Sequence, residues 1–335
     1  MNVLVTGGTG FLGQAICRAL VARGDHVASL ARTRAPELDA LGVEQHEGDL
    51  ADLEPVLRAA KGRDAVIHTA AKAGAWGRLD AYYVANVRGT DHVLAACDMN
   101  GVRKLVYTST PSVVHAGADL EGVDERMPYA PHYRAHYPAT KKLAEQRVLA
   151  ANAPGLATVA LRPHLIWGPG DRHLLPRIAQ RARAGRLRFI GEPGKRIDVT
   201  YIDNAVDAHL AALERVAPGA ACAGHAYFIS DGEPVSTEGI VNSLLRAVGI
   251  APEERRLPLP VARVLGALFE TIYRAFGIEA EPPLTRFVVE QLSTSHWFDI
   301  SAARRDLGYA PRVTVNEGLA RLAEHHLRRR RAVSG

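Results

Sequence analysis

Cysteine is scarce in this 335-residue chain: Cys17, Cys97 and Cys222 stand far apart and form no Cys-x-x-Cys pair. A disulfide framework is therefore not expected, and a reducing cytoplasm is the simplest location. The N-terminus lacks a basic segment followed by an apolar run; Met1-Asn2-Val3-Leu4-Val5 reads at once as a strand, so no signal peptide is expected. Internal repeats are absent, and the one low-complexity stretch is Arg328-Arg329-Arg330-Arg331. No nucleic-acid motif accompanies that tail, and cations suit a helix C-terminus, so the net charge of +5 does not point to a nucleic-acid partner. Metal-ligand spacing is also missing. His132 and His136 lie four apart among fourteen histidines, but no third ligand or His-Glu-x-x-His pattern joins them, and no metal is expected.

What is present is an ordinary globular composition, 47% hydrophobic and 23% charged, sufficient for a full core. Short apolar runs at 3–6, 26–30, 65–69 and 104–109 alternate with helical periodicity at 14–23 and 53–60. Such alternation predicts βαβ units and an α/β fold, a Rossmann doubly wound parallel sheet. Later strands are expected at 156–161 and 226–229. Gly168-Pro169-Gly170, Glu192-Pro193-Gly194, Pro258 and Pro260 interrupt the rest. The expected division is a nucleotide-binding domain at 1–163 plus about 201–230, with a smaller, sequence-interleaved substrate-binding part at 164–200 and 231–335.

The segment Val3-Leu4-Val5-Thr6-Gly7-Gly8-Thr9-Gly10-Phe11-Leu12-Gly13 carries a strand into Gly7-x-x-Gly10-x-x-Gly13 and then into a helix. Gly7 permits the tight turn, Gly10 lets backbone approach a pyrophosphate, and Gly13 allows close packing of helix and strand. Free N–H groups at the helix start would face the phosphates. Cofactor choice is set at the end of the second strand, where NAD enzymes usually carry an acid for the ribose 2′-hydroxyl. Here Ser29-Leu30-Ala31-Arg32-Thr33-Arg34 has none. Arg32 is suited to a 2′-phosphate, with Arg34 assisting, and NADP(H) is the expected cofactor. Asp49 and Leu50 are candidates for the adenine amine and ring. His68-Thr69-Ala70-Ala71 ends the fourth strand with small residues, such as Ala70, that let a cofactor lie close.

Tyr137-Pro138-Ala139-Thr140-Lys141 opens a helical stretch, and its i,i+4 spacing sets Tyr137 and Lys141 on one face. A free phenol titrates near 10, and a nearby ammonium favours the phenolate, so Tyr137 is a candidate proton carrier for a substrate oxygen. The hydroxyl-rich run Thr108-Ser109-Thr110-Pro111-Ser112 follows a strand and offers a hydrogen-bond donor to the same oxygen.

The ordered set from Thr6–Gly13 through Asp49-Leu50, His68-Thr69-Ala70-Ala71, Asn86-x-x-Gly89-Thr90, Tyr107-Thr108-Ser109-Thr110 and Tyr137-x-x-x-Lys141 to Arg162-Pro163 resembles the extended short-chain dehydrogenase/reductase superfamily. Leu161-Arg162-Pro163-His164-Leu165-Ile166-Trp167-Gly168-Pro169-Gly170-Asp171, the run 198–206, and Trp297-Phe298-Asp299 with Leu307-Gly308-Tyr309 resemble its 3β-hydroxysteroid dehydrogenase/isomerase-like branch. The resemblance implies Thr110 at the catalytic Ser/Thr position, Ser112 being the alternative, and Pro163 beside the cofactor. It further implies reduction of a hydrophobic small molecule, a long-chain 2-alkyl-3-oxoalkanoate of olefin biosynthesis. The competing readings are a 3β-hydroxysteroid dehydrogenase, a sugar-nucleotide epimerase-like enzyme, or a non-catalytic NADP(H)-sensing protein; retention of Tyr137, Lys141 and Thr110 speaks against the last. Homo-oligomerisation is expected, as is peripheral association with a membrane or a pathway enzyme.

One further stretch agrees with an apolar substrate. Residues 259–278 are mostly apolar, with Arg263, Glu270 and Arg274 near one helical face by spacing. The apolar arc left over suits a lid on an alkyl pocket, a membrane contact, a partner surface or a core helix. Three charges argue against a spanning helix.

Overall fold

A computed structural model describes residues 1–334, with side chains through 331. Seven parallel strands form one sheet: β1 (Asn2–Thr6), β2 (His26–Ala31), β3 (Glu44–Glu47), β4 (Ala65–His68), β5 (Lys104–Thr108), β6 (Ala157–Pro163) and β7 (His225–Ile229). Their spatial order is β3-β2-β1-β4-β5-β6-β7, so the chain reverses its winding between β1 and β4. Ligands of open α/β sheets bind outside the carboxyl ends of the strands at such a reversal.

Both faces of the sheet are covered, which explains why its strands are apolar runs rather than alternating ones. Helices α1 (Phe11–Ala22), α2 (Leu53–Ala60), α3 (Gly89–Asn100), α4 (His136–Ala150) and α5 (Ile202–Arg215) supply the cover. Val3, Val5, Ile67 and Val159 pack with Ile16 and Leu20 of α1 and Ala212 of α5 on one face. Leu4, Val66, Leu105 and Ala160 pack with Val56, Val93 and Val148 of α2, α3 and α4 on the other. The doubly wound expectation is met.

A smaller region sits over the carboxyl ends. Its four-stranded sheet runs Val235–Ser236, Arg196–Ile197, His296–Phe298, Leu120–Val123. The last of these leaves the sequence neighbourhood of the large sheet to pair in parallel with His296–Phe298. Trp167, Ile197, Tyr201, Ile240 and Leu244 build a separate core here.

Helix Leu259–Ala275 leaves Arg263 and Arg274 exposed but turns its third charge, Glu270, inward. Glu270 is buried, accepting from the Arg286 backbone at 2.8 Å and pairing with the Arg286 guanidinium at 2.8 Å. Ala262 and Gly266 share that packed strip, facing helix Arg286–Ser293. Val261, Val264, Leu268 and Ile272 face outward instead, followed by Phe276, which is 78% exposed. No helix among the described residues is long and apolar enough to cross a membrane.

Candidate active site

A cleft of about 1330 Å³ runs along the carboxyl ends of β1, β2, β4, β5 and β6. At one end lies the glycine loop. Gly10 N–H donates to the Gly7 carbonyl at 2.9 Å, turning the chain from β1 into α1. Gly7 has φ +73°, and a Cβ there would stand 2.9 Å from Ala70 Cα. A Cβ on Gly13 would meet the Gly7 carbonyl oxygen at 2.2 Å. Only glycine fits either position. Gly10, the residue ahead of α1, gives no side-chain cap, and the helix has no acid in its first turn. Its opening N–H groups are therefore presented to the cleft, which Thr9, Gly10, Phe11, Leu12 and Gly13 line.

Arg32 lies just beyond β2, exposed, lining the cleft, with no hydrogen bond or ion pair among the described residues. Arg34 does not join it: its guanidinium is held by Asp39 at 2.7 Å. Asp49 and Leu50 line the cleft from the loop after β3; Asp49 Oδ1 accepts from Ala51 N–H at 3.0 Å, and Leu50 is buried against Gly89. Ala70 and Pro163 also line it.

At the other end stand the groups for proton transfer. Tyr137, Thr110 and Ser112 all line the cleft. The Thr110 hydroxyl bonds that of Ser112 at 3.3 Å and also faces the Tyr137 phenol, favouring its charged form. Burial outweighs that effect and pushes the phenol up to about 12, so Tyr137 holds its proton at neutral pH. Lys141 lies behind the cleft wall, 2% exposed. Its Nζ donates to the Thr108 carbonyl at 2.6 Å and stands 4.1 Å over the Tyr107 ring. Desolvation brings it down to about 7, with Glu145 opposing. Lys141 is not among the influences that set the Tyr137 phenol in this state, because its amine is committed to the Thr108 carbonyl and is only partly charged near pH 7.

Several residues of the sequence motifs have supporting roles that their spacing did not reveal. His68 Nδ1 meets the Thr6 hydroxyl at 2.6 Å, and its Nε2 meets the Thr90 hydroxyl at 3.0 Å. Burial lowers it to about 3, so this pin between β1, β4 and α3 is neutral. Asn86 is buried; it accepts from Lys72 N–H at 2.7 Å and donates to the Thr140 hydroxyl at 3.0 Å, tying the loop after β4 to α4. The motif Asn86-x-x-Gly89-Thr90 was visible, but not these partners. Among the described residues no cluster of His, Cys, Asp or Glu is arranged to hold a metal ion.

A parallel sheet with this glycine cradle at its winding reversal, and a hydroxyl pair beside it, defines a nicotinamide-dinucleotide-binding protein of the short-chain dehydrogenase type. Residues 4–261 match the model of the 3-beta hydroxysteroid dehydrogenase/isomerase family, and the chain belongs to that family. It is an oxidoreductase. It is 55% identical to the 2-alkyl-3-oxoalkanoate reductase of Stenotrophomonas maltophilia, over 96% of this chain and 98% of that protein. It is 48% identical to the protein of the same description from Shewanella oneidensis, over 96% of this chain and 85% of that one. Among solved structures it is similar to Thermus thermophilus UDP-glucose 4-epimerase in complex with NAD, with TM-score 0.74 and 27% identity over 98% of this chain and 99% of that one.

Proposed function

We propose that this chain uses NADPH to reduce the ketone of a long-chain 2-alkyl-3-oxoalkanoate to the 2-alkyl-3-hydroxyalkanoate, a step of long-chain olefin biosynthesis in the cytoplasm. The observation that carries the chemistry is the pairing of the Tyr137 and Thr110 hydroxyls on the wall of a cleft whose far end is the glycine cradle. Kinship to two reductases of that description supports the substrate. The free Arg32, with no acid beside it, supports NADP(H) over NAD(H). The same reading takes 1–163 with about 201–230 as the cofactor-binding domain and the remainder as the substrate-binding part.

The residues present fit the cofactor: the α1 N-terminus and glycine loop for the pyrophosphate, Arg32 for the 2′-phosphate, Asp49 and Leu50 for the adenine, and Ala70, Pro163 and Lys141 towards the nicotinamide half. When bound, the cofactor supplies the hydride. Tyr137, protonated at neutral pH because it is buried, donates its proton to the oxygen on which negative charge grows. Thr110 donates a hydrogen bond to that same oxygen. Lys141, held by the Thr108 carbonyl, positions the ribose and carries a proton that is exchangeable near neutral pH.

Tyr137→Phe keeps the ring and removes the proton. Turnover of a 2-alkyl-3-oxo acid should fall at least about 100-fold, the scale of a positioned general acid. NADPH affinity, read by fluorescence titration, should move little. Near-normal turnover in this variant would refute the mechanism. Turnover of hydroxysterols with none of 2-alkyl-3-oxo acids would refute the substrate.

A further inference from the structure

A second cavity of about 370 Å³ opens off the cleft into the smaller region. Its walls are Ile178, Phe189, Ile197, Val199, Ile240 and Leu244. Among the described residues no carboxylate borders it, and its charged neighbours are the arginines 177, 181 and 188. Arg177 is paired with Glu281, while Arg181 donates to the Pro283 carbonyl at 3.1 Å. The chamber and the cleft share Leu165, Leu174, Val288 and Leu292, with His173, Arg177 and Gln291 at the same opening, so a ligand leaving the cleft at this point passes four apolar side chains on its way into the chamber.

Leu165 gives that doorway a signature. It has φ 39°, the one positive φ at a non-glycine residue among those described. Left-handed backbone is costly for a bulky side chain and is retained where the surroundings impose it. Here the Leu165 carbonyl accepts from Thr200 N–H at 3.3 Å, and the side chain, 38% exposed, borders both cavities. A large apolar residue held in that conformation and left part-exposed at a junction is suited to contact with an apolar ligand.

We propose that this chamber is a binding site for one alkyl chain of the substrate, entered past Leu165, and that it sets a chain-length limit. At about 30 Å³ for each methylene-sized unit, roughly the share of a water molecule, 370 Å³ accommodates about a dozen carbons. The other chain and the carboxyl group remain in the cleft. The inference rests on the proposed ketone reduction only for the position of the carbonyl; the apolar occupant follows from the chamber itself. Helix Leu259–Ala275 has no part in it, since no residue of 259–278 lines either cavity. Of the readings open for that stretch, a lid on the pocket therefore finds no support, and Phe287, Val288 and Leu292 of the next helix line the cleft instead.

The test has two arms. In the first, saturated fatty acids of 6 to 18 carbons are titrated against the protein by calorimetry, with no reaction required. Affinity should tighten with length, by up to about fourfold per buried methylene, and level off near a dozen carbons. Val241, half-buried on the chamber wall, is then changed. Val241→Trp should move the plateau to shorter acids, and Val241→Ala to longer ones. In the second arm, the 2-alkyl and the distal chain of the oxo acid are varied separately. Val241→Trp should reduce the ratio of long-chain to short-chain kcat/KM at least tenfold in one series. Length-independent fatty-acid binding, or a plateau that neither variant moves, overturns the chamber. Length-dependent binding without turnover of any 2-alkyl-3-oxo acid overturns the proposed reaction and leaves the chamber standing.

Discussion

Lys141 offers a direct measure of what this site costs the free protein. Its ammonium is buried, and its pKa drops from the ordinary 10.5 to about 7, with desolvation the leading cause. At about 1.4 kcal/mol per pH decade, holding this lysine in the fold at pH 7 costs about 5 kcal/mol. Lys141→Met removes the charge and keeps an unbranched side chain of similar reach. It also deprives the Thr108 carbonyl of its 2.6 Å donor, a loss of about 1–3 kcal/mol. The variant should therefore be more stable than the parent at pH 7 by about 2–4 kcal/mol, a rise of a few degrees in Tm for a chain this long. The sign changes with pH. Between about 7 and 10.5 the unfolded lysine binds its proton and the folded one does not, so the parent gains stability as pH rises. The advantage of Lys141→Met is full at pH 7 and below and is lost towards pH 10.5, where only the missing hydrogen bond remains and the variant becomes the weaker. Thermal unfolding of both proteins without cofactor, from pH 6.5 to 10.5, reads the difference; groups that titrate in both cancel. A variant less stable at pH 7, or a gap that does not close with pH, would refute the reasoning. Turnover should be lost at every pH.

Arg32→Ala should weaken NADPH through loss of a charge-assisted contact of about 1.5–3 kcal/mol, roughly 10- to 150-fold, and leave NADH little changed; equal loss for both, by fluorescence titration, would show that Arg32 does not read the 2′-phosphate. Gly13→Ala drives a methyl to 2.2 Å from the Gly7 carbonyl oxygen, so the loop must open; NADPH affinity should fall at least tenfold and Tm should drop, and a variant with parental affinity would remove the cradle argument.

The parts of this protein legible in its sequence are those whose chemistry is local. The glycine loop needs a positive φ and a missing Cβ within seven residues, so the spacing alone announces it. Both-face burial makes β1 and β4 continuous apolar runs, and their order with α1 implies the winding. The commitment of Lys141 to Thr108 was not legible, because it joins α4 to a carbonyl 33 residues earlier. Nor was the pairing of Leu120–Val123 with His296–Phe298, which no local pattern encodes. The packing of helix Leu259–Ala275 was left open for a related reason. Its pattern reveals two unlike faces but not which one is inward. Glu270 faces inward because Arg286, sixteen residues on, neutralises it there. The outward apolar strip is the consequence.

The scaffold around α4 explains why Lys141 can change its charge near neutral pH. One turn further on, Glu145 is fully buried and gripped by Arg162 of β6 through Nη2 at 2.6 Å and Nε at 3.1 Å. The Tyr129 hydroxyl donates to the same carboxylate at 2.8 Å. A buried ion pair of this kind is weak evidence of stability, but breaking it would leave an uncompensated buried charge. It locks α4 to β6 and so sets the distance from Tyr137 to the strand ends. Because Glu145 is already committed to Arg162, its attraction to Lys141 only partly opposes the desolvation that lowers the amine. At this end of the cleft His68 stays neutral and Tyr137 stays protonated across the physiological range, each held there by burial. The group left to gain or lose a proton near pH 7 is the one wedged between the Thr108 carbonyl and the Tyr107 ring, directly behind the proton donor. A bound cofactor that favours the ammonium there would lower the Tyr137 phenol at the same moment, coupling cofactor occupancy to the readiness of the acid.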